Sequence, residues 1–375
     1  MPITPKADIA IVGAGIAGLS LATQIKQDNP SAAVTLVGPK DRRPQRISTW
    51  IDSTQSIPAC IGSCIDNQWS TWGFRDSSGR IHPQRSATSS YTTIDGRRLK
   101  DHLEECAVVT AINRIDENCH SVVQTSTGYQ LVCESQTLVS TQLVDTRPPA
   151  IPNSTIKQQF VGHTIRCTQP HQQSLPLLMD FSGSSISQDG LTFIYCLPLS
   201  DCDLLVEATT FSPTCHTEAD YETCIEQWIE TNLPAGITWK PIDTESGVLP
   251  MGPIRPIDHT LVRCGLAGGA ARASTGYAWH GTQRQVAQLA SQFSNNTSLS
   301  QAQAYSRKAQ HMDALFLRVL RHQPQAIYHL FMAMAQHLSG DILAQFLCDE
   351  GGWRPCLRTI KAAPKWPFIR ALWRS

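Results

Sequence analysis

Residues 8–22 read DIAIVGAGIAGLSLA, and the fold class follows from that stretch. Ile9, Ile11 and Val12 suit a short parallel strand buried on both faces. Gly13, Gly15 and Gly18 then fall at G-x-G-x-x-G spacing, and Leu19, Leu21 and Ala22 begin an apolar helical face. Each glycine has its own duty in such a turn. Gly13 permits the tight exit from the strand, Gly15 lets backbone approach a pyrophosphate, and Gly18 lets helix pack closely on strand. The pyrophosphate rests on N–H groups left unpaired at the helix N-terminus. The same spacing also occurs in ligand-free turns, but a strand before it and a helix after it favour a dinucleotide site.

Residues 33–37 (AVTLV) supply a second parallel strand. Dinucleotide folds usually end this strand with an Asp or Glu that accepts the ribose hydroxyls. Gly38 stands there instead, leaving Asp41 in the following loop as a substitute. The 375 residues can bury one large core or two unequal ones. With 31 basic and 31 acidic residues there is no global field to draw nucleic acid. Thirteen scattered cysteines, in a chain whose apolar start carries Asp8 and glycines rather than a signal-peptide pattern, read as reduced thiols of a cytoplasmic protein. Cys60 and Cys64 lack a second pair at zinc spacing, so no metal is expected. No apolar run reaches spanning length.

Arg42, Arg43 and Arg46 are followed by Trp50, Trp69, Trp72 and Phe74, which read either as core or as the lining of an apolar tunnel. Residues 91–105 begin extended, turn at Asp95-Gly96 and continue as a charged helix. Residues 108–144 form a small antiparallel meander turning at Thr127-Gly128. In two-domain flavoproteins the last strand of such a meander returns to the nucleotide sheet and ends near the cofactor, which makes Asp145 a cofactor-binding candidate. Pro148, Pro149 and Pro152 mark a domain crossing.

From 162 to 210 the pattern is all β. Glu207 interrupts the otherwise apolar run Leu204–Ala208. Burying a charge there costs several kcal/mol unless it is paired or protonated, so Glu207 is either outward-facing or a functional carboxyl. An amphipathic helix spans 219–232, and a strand lies around 260–263. Two glycine-rich turns follow, with Gly268 and Gly269, then Thr275 and Gly276, as candidates for bringing backbone N–H groups to the cofactor; a plain loop is the alternative. From Gln283 onward the chain is helical. In the tail, Trp353, Trp366 and Trp373 alternate with Arg354, Arg358, Lys361, Lys365, Arg370 and Arg374, a pattern of a lipid–water interface or of a solvated tail. The expected division is a nucleotide domain over 1–150 and 243–292, a substrate domain over 151–242 and a helical region over 293–375.

This order of signals resembles the flavin-dependent lycopene cyclases, in their bacterial β-cyclase branch. The likeness is carried by the first glycine motif, Thr49-Trp50, Gln169-Pro170-His171 with Leu178-Met179-Asp180, the run FIYCLPLS (193–200) with Leu205-Val206-Glu207, Gly247-Val248-Leu249-Pro250, and Ser274-Thr275-Gly276-Tyr277. The resemblance implies an α/β fold: a Rossmann-type FAD-binding domain of the glutathione-reductase-like, two-domain kind, an antiparallel β-sheet substrate domain and C-terminal helices. It implies Glu207 as the essential acid. Gly13, Gly15, Gly18, Asp145, Gly268, Gly269, Thr275 and Gly276 fall on the FAD side. In the family an acidic residue and Thr often follow this Glu directly, whereas Ala208 precedes Thr209 here, and Gly38 replaces the usual ribose acid.

The implied activity is closure of the ψ-ends of lycopene, or a related acyclic carotenoid, into β-ionone rings without net redox change. A neutral carboxylic acid in a dry pocket protonates the terminal alkene. Reduced FAD, with NAD(P)H as reductant, steadies the cation, and a membrane surface supplies the polyene. Two other readings stand beside it: a redox FAD-dependent monooxygenase or dehydrogenase acting on an apolar substrate, and a membrane-docking protein that keeps a vestigial nucleotide fold.

Overall fold

The computed structural model describes residues 7–41, 43, 45–53, 59–183, 186, 187, 190–252 and 261–373. Arg42, Thr260, Arg374 and the side chain of Cys60 lie outside that set. The strand Ala7–Val12 is buried at every position but Asp8, whose carboxylate accepts Ala33 N–H at 2.8 Å. It pairs in parallel with Val34–Val37 on one side and Thr137–Asp145 on the other, and Asn113–Ile115 extends the parallel set. Gly128–Cys133 and Cys119–Thr125 complete this sheet as the antiparallel meander read from the sequence. Val262–Arg263 adds in parallel beside Val144 and Asp145.

Three helices cover the sheet. Ile16–Asp28 buries Leu19, Leu21, Ala22 and Ile25 in one core with residues of Gly96–Val109 and Trp279–Ser294. Asp95 caps the second of these by accepting Arg97 and Arg98 N–H, which is why the strand stops and the helix starts there.

The second sheet runs Trp239–Met251, Ile156–Cys167, Asp203–Ser212, Gly190–Pro198, Leu177–Asp180, Thr71–Arg75, Ile81–Arg85. Its outer edges depart from the expected division. Trp239–Met251 hydrogen-bonds along the whole of Ile156–Cys167, so the start of 243–292 belongs to this sheet. Thr71–Arg75 and Ile81–Arg85, inside 1–150, close the opposite edge. The physical reason is that the two outermost strands, Trp239–Met251 and Ile81–Arg85, have one open flank each, so their sequences carry no continuous apolar run. A three-stranded sheet, Arg46–Asp52, Ser89–Asp95 and Ile65–Trp69, sets Trp50 and Trp69 opposite Tyr91.

The helices Arg307–His322, Pro324–His337 and Gly340–Leu347 lay Phe316, Ile327, Tyr328, Phe331 and Met334 into one cluster with Trp50, Trp72, Tyr91, Phe181 and Phe193. Full burial of a large apolar side chain stabilises by about 1.5–3 kcal/mol. These helices therefore form a roof held to the inner face of the second sheet. On the opposite face Glu218–Asn232 packs Tyr221, Ile225, Trp228 and Ile229 against Val206 and Ala208.

Candidate functional site

The first glycine turn meets its steric requirements. A Cβ on Gly13 (φ +110°) would lie 2.4 Å from Thr146 Oγ1, and one on Gly18 would lie 2.0 Å from the Gly13 carbonyl oxygen. Gly15 caps the helix Ile16–Asp28 with no side-chain partner, and a Cβ there would meet nothing within 4 Å. Two glycines are thus filled by protein, while the middle one faces open space where a phosphate needs backbone approach. Gly38 has an equally local cause: a Cβ would come 2.8 Å from Ala14 N, so this turn excludes a side chain where an acid usually stands.

Two candidate acids are otherwise engaged. Asp145, at the end of its strand, accepts Arg147 N, Nε and Nη2 at 2.8–3.0 Å. Asp41 is chelated by Arg43, with Lys100 at 3.6 Å, and the Arg43 hydrogen bonds hold its carboxyl down at about 2.

The second glycine-rich segment is held together by hydrogen bonds of its own. Gly269 N–H bonds to Leu266 O, and Thr275 and Gly276 N–H both bond to Arg272 O, so these three groups close their own turns. Gln285 clamps the first turn by accepting Gly265 N–H and donating to Gly268 O. A Cβ on Gly265 would meet Ala17 Cβ at 2.7 Å, which sets this turn beside the first glycine helix. Gly276 (φ +74°) leaves room for Gln158 Oε1, bringing its loop onto the second sheet. Thr275 Oγ1 and Gln158 Oε1 are buried there without a partner.

That loop carries Tyr277 to the acid. In the second sheet the register aligns Tyr195, Glu207, Gly162 and Glu245 across four adjacent strands, so all four residues share the inner face. A Cβ on Gly162 would stand 3.0 Å from Glu207 Cβ; its absence gives the two carboxyls a common bay. Thr209 Oγ1 donates to Glu207 Oε1 at 2.7 Å. Burial first, and the Glu245 carboxylate second, push Glu207 up to about 8 against that one hydrogen bond. Glu245 is also raised by burial, opposed by Arg46, whose backbone N–H reaches Glu245 Oε2 at 3.1 Å.

The rest of the bay is aromatic. Tyr91 OH lies 2.7 Å from Tyr195 OH and 3.4 Å from Tyr277 OH, and Tyr195 donates to Ser48 Oγ at 2.9 Å. Burial drives all three phenols well above their ordinary value, so they stay neutral. Trp50 sets edges against Trp72, Tyr91 and Tyr277 at centroid distances of 5.7, 4.8 and 5.2 Å. His280 Nε2–H holds the Trp50 carbonyl at 2.9 Å. Trp50 and Trp72 therefore belong to the core and also back the bay.

Sequence reading brought Glu207 and the tyrosine-bearing motifs to this place but gave no role to Glu245, Gly162 or the phenol chain. The period-two alternation at Glu245, Gly247 and Leu249 was the available signal. Among the described residues no group of three His, Cys, Asp or Glu side chains is arranged to hold a metal, and no helix is long and apolar enough to cross a membrane.

Comparison with known proteins follows the same lines. The family model described as lycopene cyclase protein matches residues 8–352. A chloroplastic lycopene beta cyclase from an Oncidium hybrid cultivar is 26% identical over 298 residues, 73% of this chain and 61% of that protein. A lycopene beta-cyclase from Pantoea ananas is 28% identical over 231 residues, 56% of this chain and 55% of that protein. The chain thus spans between about half and three-fifths of the length of these curated relatives. A solved flavoprotein/dehydrogenase from Cytophaga hutchinsonii shares the fold, with a TM-score of 0.59 at 12% identity over 98% of this chain and 99% of that one. By the family match, this chain belongs to the lycopene cyclase protein family.

Proposed function

We propose that the chain is a flavin-dependent lycopene β-cyclase, converting the ψ-ends of lycopene to β-ionone rings, through γ-carotene to β-carotene. The observation that carries the reading is Glu207, a carboxyl raised to about 8 with neutral aromatic side chains around it. The names of the relatives from Oncidium and Pantoea support the substrate class.

At neutral pH Glu207 holds its proton, and Thr209 fixes the orientation of the carboxyl. The proton passes to the terminal alkene: a C–H bond forms, the π bond breaks, and positive charge settles on the tertiary carbon. The neighbouring alkene attacks that carbon and closes the ring. Loss of a ring proton to the Glu207 carboxylate then restores neutrality and reloads the acid, so atoms and electrons balance without an oxidant. Phenols kept neutral do not trap the cation as phenolates would, and each ring face adds up to about 2 kcal/mol in a desolvated site. The helical roof excludes water that would hydrate the cation.

The open Gly15 position and the N-terminus of Ile16–Asp28 fit the pyrophosphate of FAD, with Gly13 and Gly18 shaping the turn. Bound there in its reduced form, with NAD(P)H as reductant, FAD would supply negative charge that stabilises a cation without hydride transfer.

The protein works at the cytoplasmic face of a membrane, where the polyene resides. Trp353, Leu357, Ile360, Trp366, Ile369, Leu372 and Trp373 are exposed on or beside the helices Arg354–Ala362 and Lys365–Trp373, next to exposed Arg354, Arg358, Lys361, Lys365 and Arg370. Apolar side chains flanked by cations suit an anionic bilayer surface.

Pigment analysis after expression in lycopene-accumulating bacteria tests the function. Cyclic carotenes are expected from the wild type and none from Glu207→Gln. Unchanged lycopene with the wild type would overturn the reading. Anaerobic turnover with reduced FAD and no net oxidation separates it from a redox flavoenzyme, which would consume the reductant.

A further inference from the structure

The inner face of the second sheet carries a second carboxyl that the reaction as described does not use. Glu245 and Glu207 flank the same residue, Gly162, in one register row, and Gly162 has no side chain to separate them. The two environments are unequal. Glu245 takes the Arg46 backbone N–H and stands at the edge of a polar cleft with Gln45, Arg46, Asp95, Arg97 and Asp243. Glu207 takes only the Thr209 hydroxyl, and among the described residues no cation pairs with it.

We propose that Glu245 is the positioning residue for Glu207: as the anionic member of a carboxyl pair that holds one proton between them, it keeps that proton on Glu207. Two carboxyls that face each other across a residue without a side chain oppose each other's ionisation, and the proton goes to the one with fewer donors to stabilise its charge. The N–H of Arg46 and the water-facing cleft favour charge on Glu245. The apolar, phenol-lined bay favours the neutral acid on Glu207. The proposal rests on Glu207 as the proton donor and adds how it stays loaded.

The surrounding charges bear on the pair from every side. From its own strand Glu207 meets Thr209; from the neighbouring strand, Tyr195; from the Ser274–Tyr277 loop, Tyr277. Glu245 faces Arg46 and, one turn of the pleat away, Asp243. Arg46 is itself shared with Asp66 at 2.8 Å, and Asp243 is paired with Arg97 at 3.1 Å. Neither cation is therefore free to neutralise Glu245 fully, which preserves its effect on Glu207.

The test is an infrared titration of the purified, full-length holoprotein, following the protonated-carboxyl C=O band that disappears in Glu207→Gln. In the wild type the band should persist to about pH 8. In Glu245→Gln its midpoint should fall by about one unit, a tenfold loss of proton affinity. Glu245→Ala, which removes the carboxyl in a second way, should give the same shift, and Glu245→Asp should return the midpoint to near the wild-type value. A midpoint unmoved in both Gln and Ala variants, or moved equally in the Asp variant, overturns the proposal. The titration needs no carotenoid. A shifted band without ring closure would sink only the cyclase reading, and ring closure with an unmoved band would sink only this one.

Discussion

Two buried carboxyls in this molecule are treated in opposite ways. Asp313, on the first helix of the roof, receives Arg272 Nε at 3.2 Å and Ser274 Oγ at 2.8 Å, and Arg272 lies against the Phe346 ring at 4.7 Å. Glu207, in the bay, receives one hydroxyl and faces another carboxyl. Burial raises both, but only at Asp313 do a cation, Arg272, and a hydroxyl, Ser274, both pull the other way. A fold that needs a buried acid for structure gives it a counter-ion, since an unpaired one costs several kcal/mol. An acid left without one holds its proton and is available for chemistry.

The comparison is broken most directly by neutralising each acid in turn. Glu207→Gln should lower cyclisation by at least about a hundredfold, since it removes the donor. Its fold should persist, and at pH 8 its unfolding free energy should exceed that of the wild type by on the order of 4 kcal/mol. The sign follows from the raised carboxyl. Its favourable contribution is complete below the unfolded value of 4.5 and is lost as pH climbs through about 8, so the gain should vanish near pH 4. Denaturant titrations of both proteins at the two pH values read this out. Asp313→Asn should do the reverse, leaving the Arg272 charge buried and destabilising by about 3–5 kcal/mol. Equal destabilisation by the two substitutions would erase the distinction.

A pH profile sharpens it. Cyclisation by the wild type should decline about tenfold per unit once pH rises above about 8, as Glu207 loses its proton. Rates under single-turnover conditions measure it, and a flat profile to pH 10 would remove Glu207 from the donor role.

The glycine turn offers a smaller contrast of the same kind. Gly13→Val collides with Thr146 and forces a strained φ, so both flavin content and thermal stability should fall. Gly15→Ala puts a Cβ where no protein atom lies within 4 Å, so the apoprotein should keep its melting temperature within about 2 °C while flavin content falls. Absorbance at the flavin bands and apoprotein melting curves together decide it.

How much of this was legible beforehand follows from range. Residues 8–22 announce strand, turn and helix because every requirement there is met within a few residues. Glu207 was legible as a charge out of place in an apolar run. The partner of Asp145, Arg147, was not legible because it lies two residues on, where sequence alone reads only a loop. Glu245 was invisible as a site residue because its meaning depends on Gly162 and on a strand pairing across some eighty positions. Thr275 and Gly276 are candidates for the cofactor because a strand leads into their glycine-rich turn. Their N–H groups are closed locally, and what the loop delivers is Tyr277.

The tail yields the smallest expected effect. It lies beyond residue 352, where the family match ends, so composition and exposure argue for it alone. Trp366 and Trp373 are 73% and 84% exposed, while Cys356, Thr359 and Ala371 pack inward. Removing the whole segment would therefore strip cover from the roof, and the cleaner probe is the double substitution Trp366→Ser and Trp373→Ser. Each indole withdrawn from the interface forfeits about 1–2 kcal/mol of partitioning. Sedimentation with vesicles rich in anionic lipid should then weaken by about thirtyfold or more, while activity on detergent-solubilised lycopene holds. Loss of activity in detergent as well would move these tryptophans from the membrane contact to the fold. Undiminished sedimentation would leave the basic residues alone as the anchor, and raising salt, which screens charge but not apolar contact, would then release the wild type too.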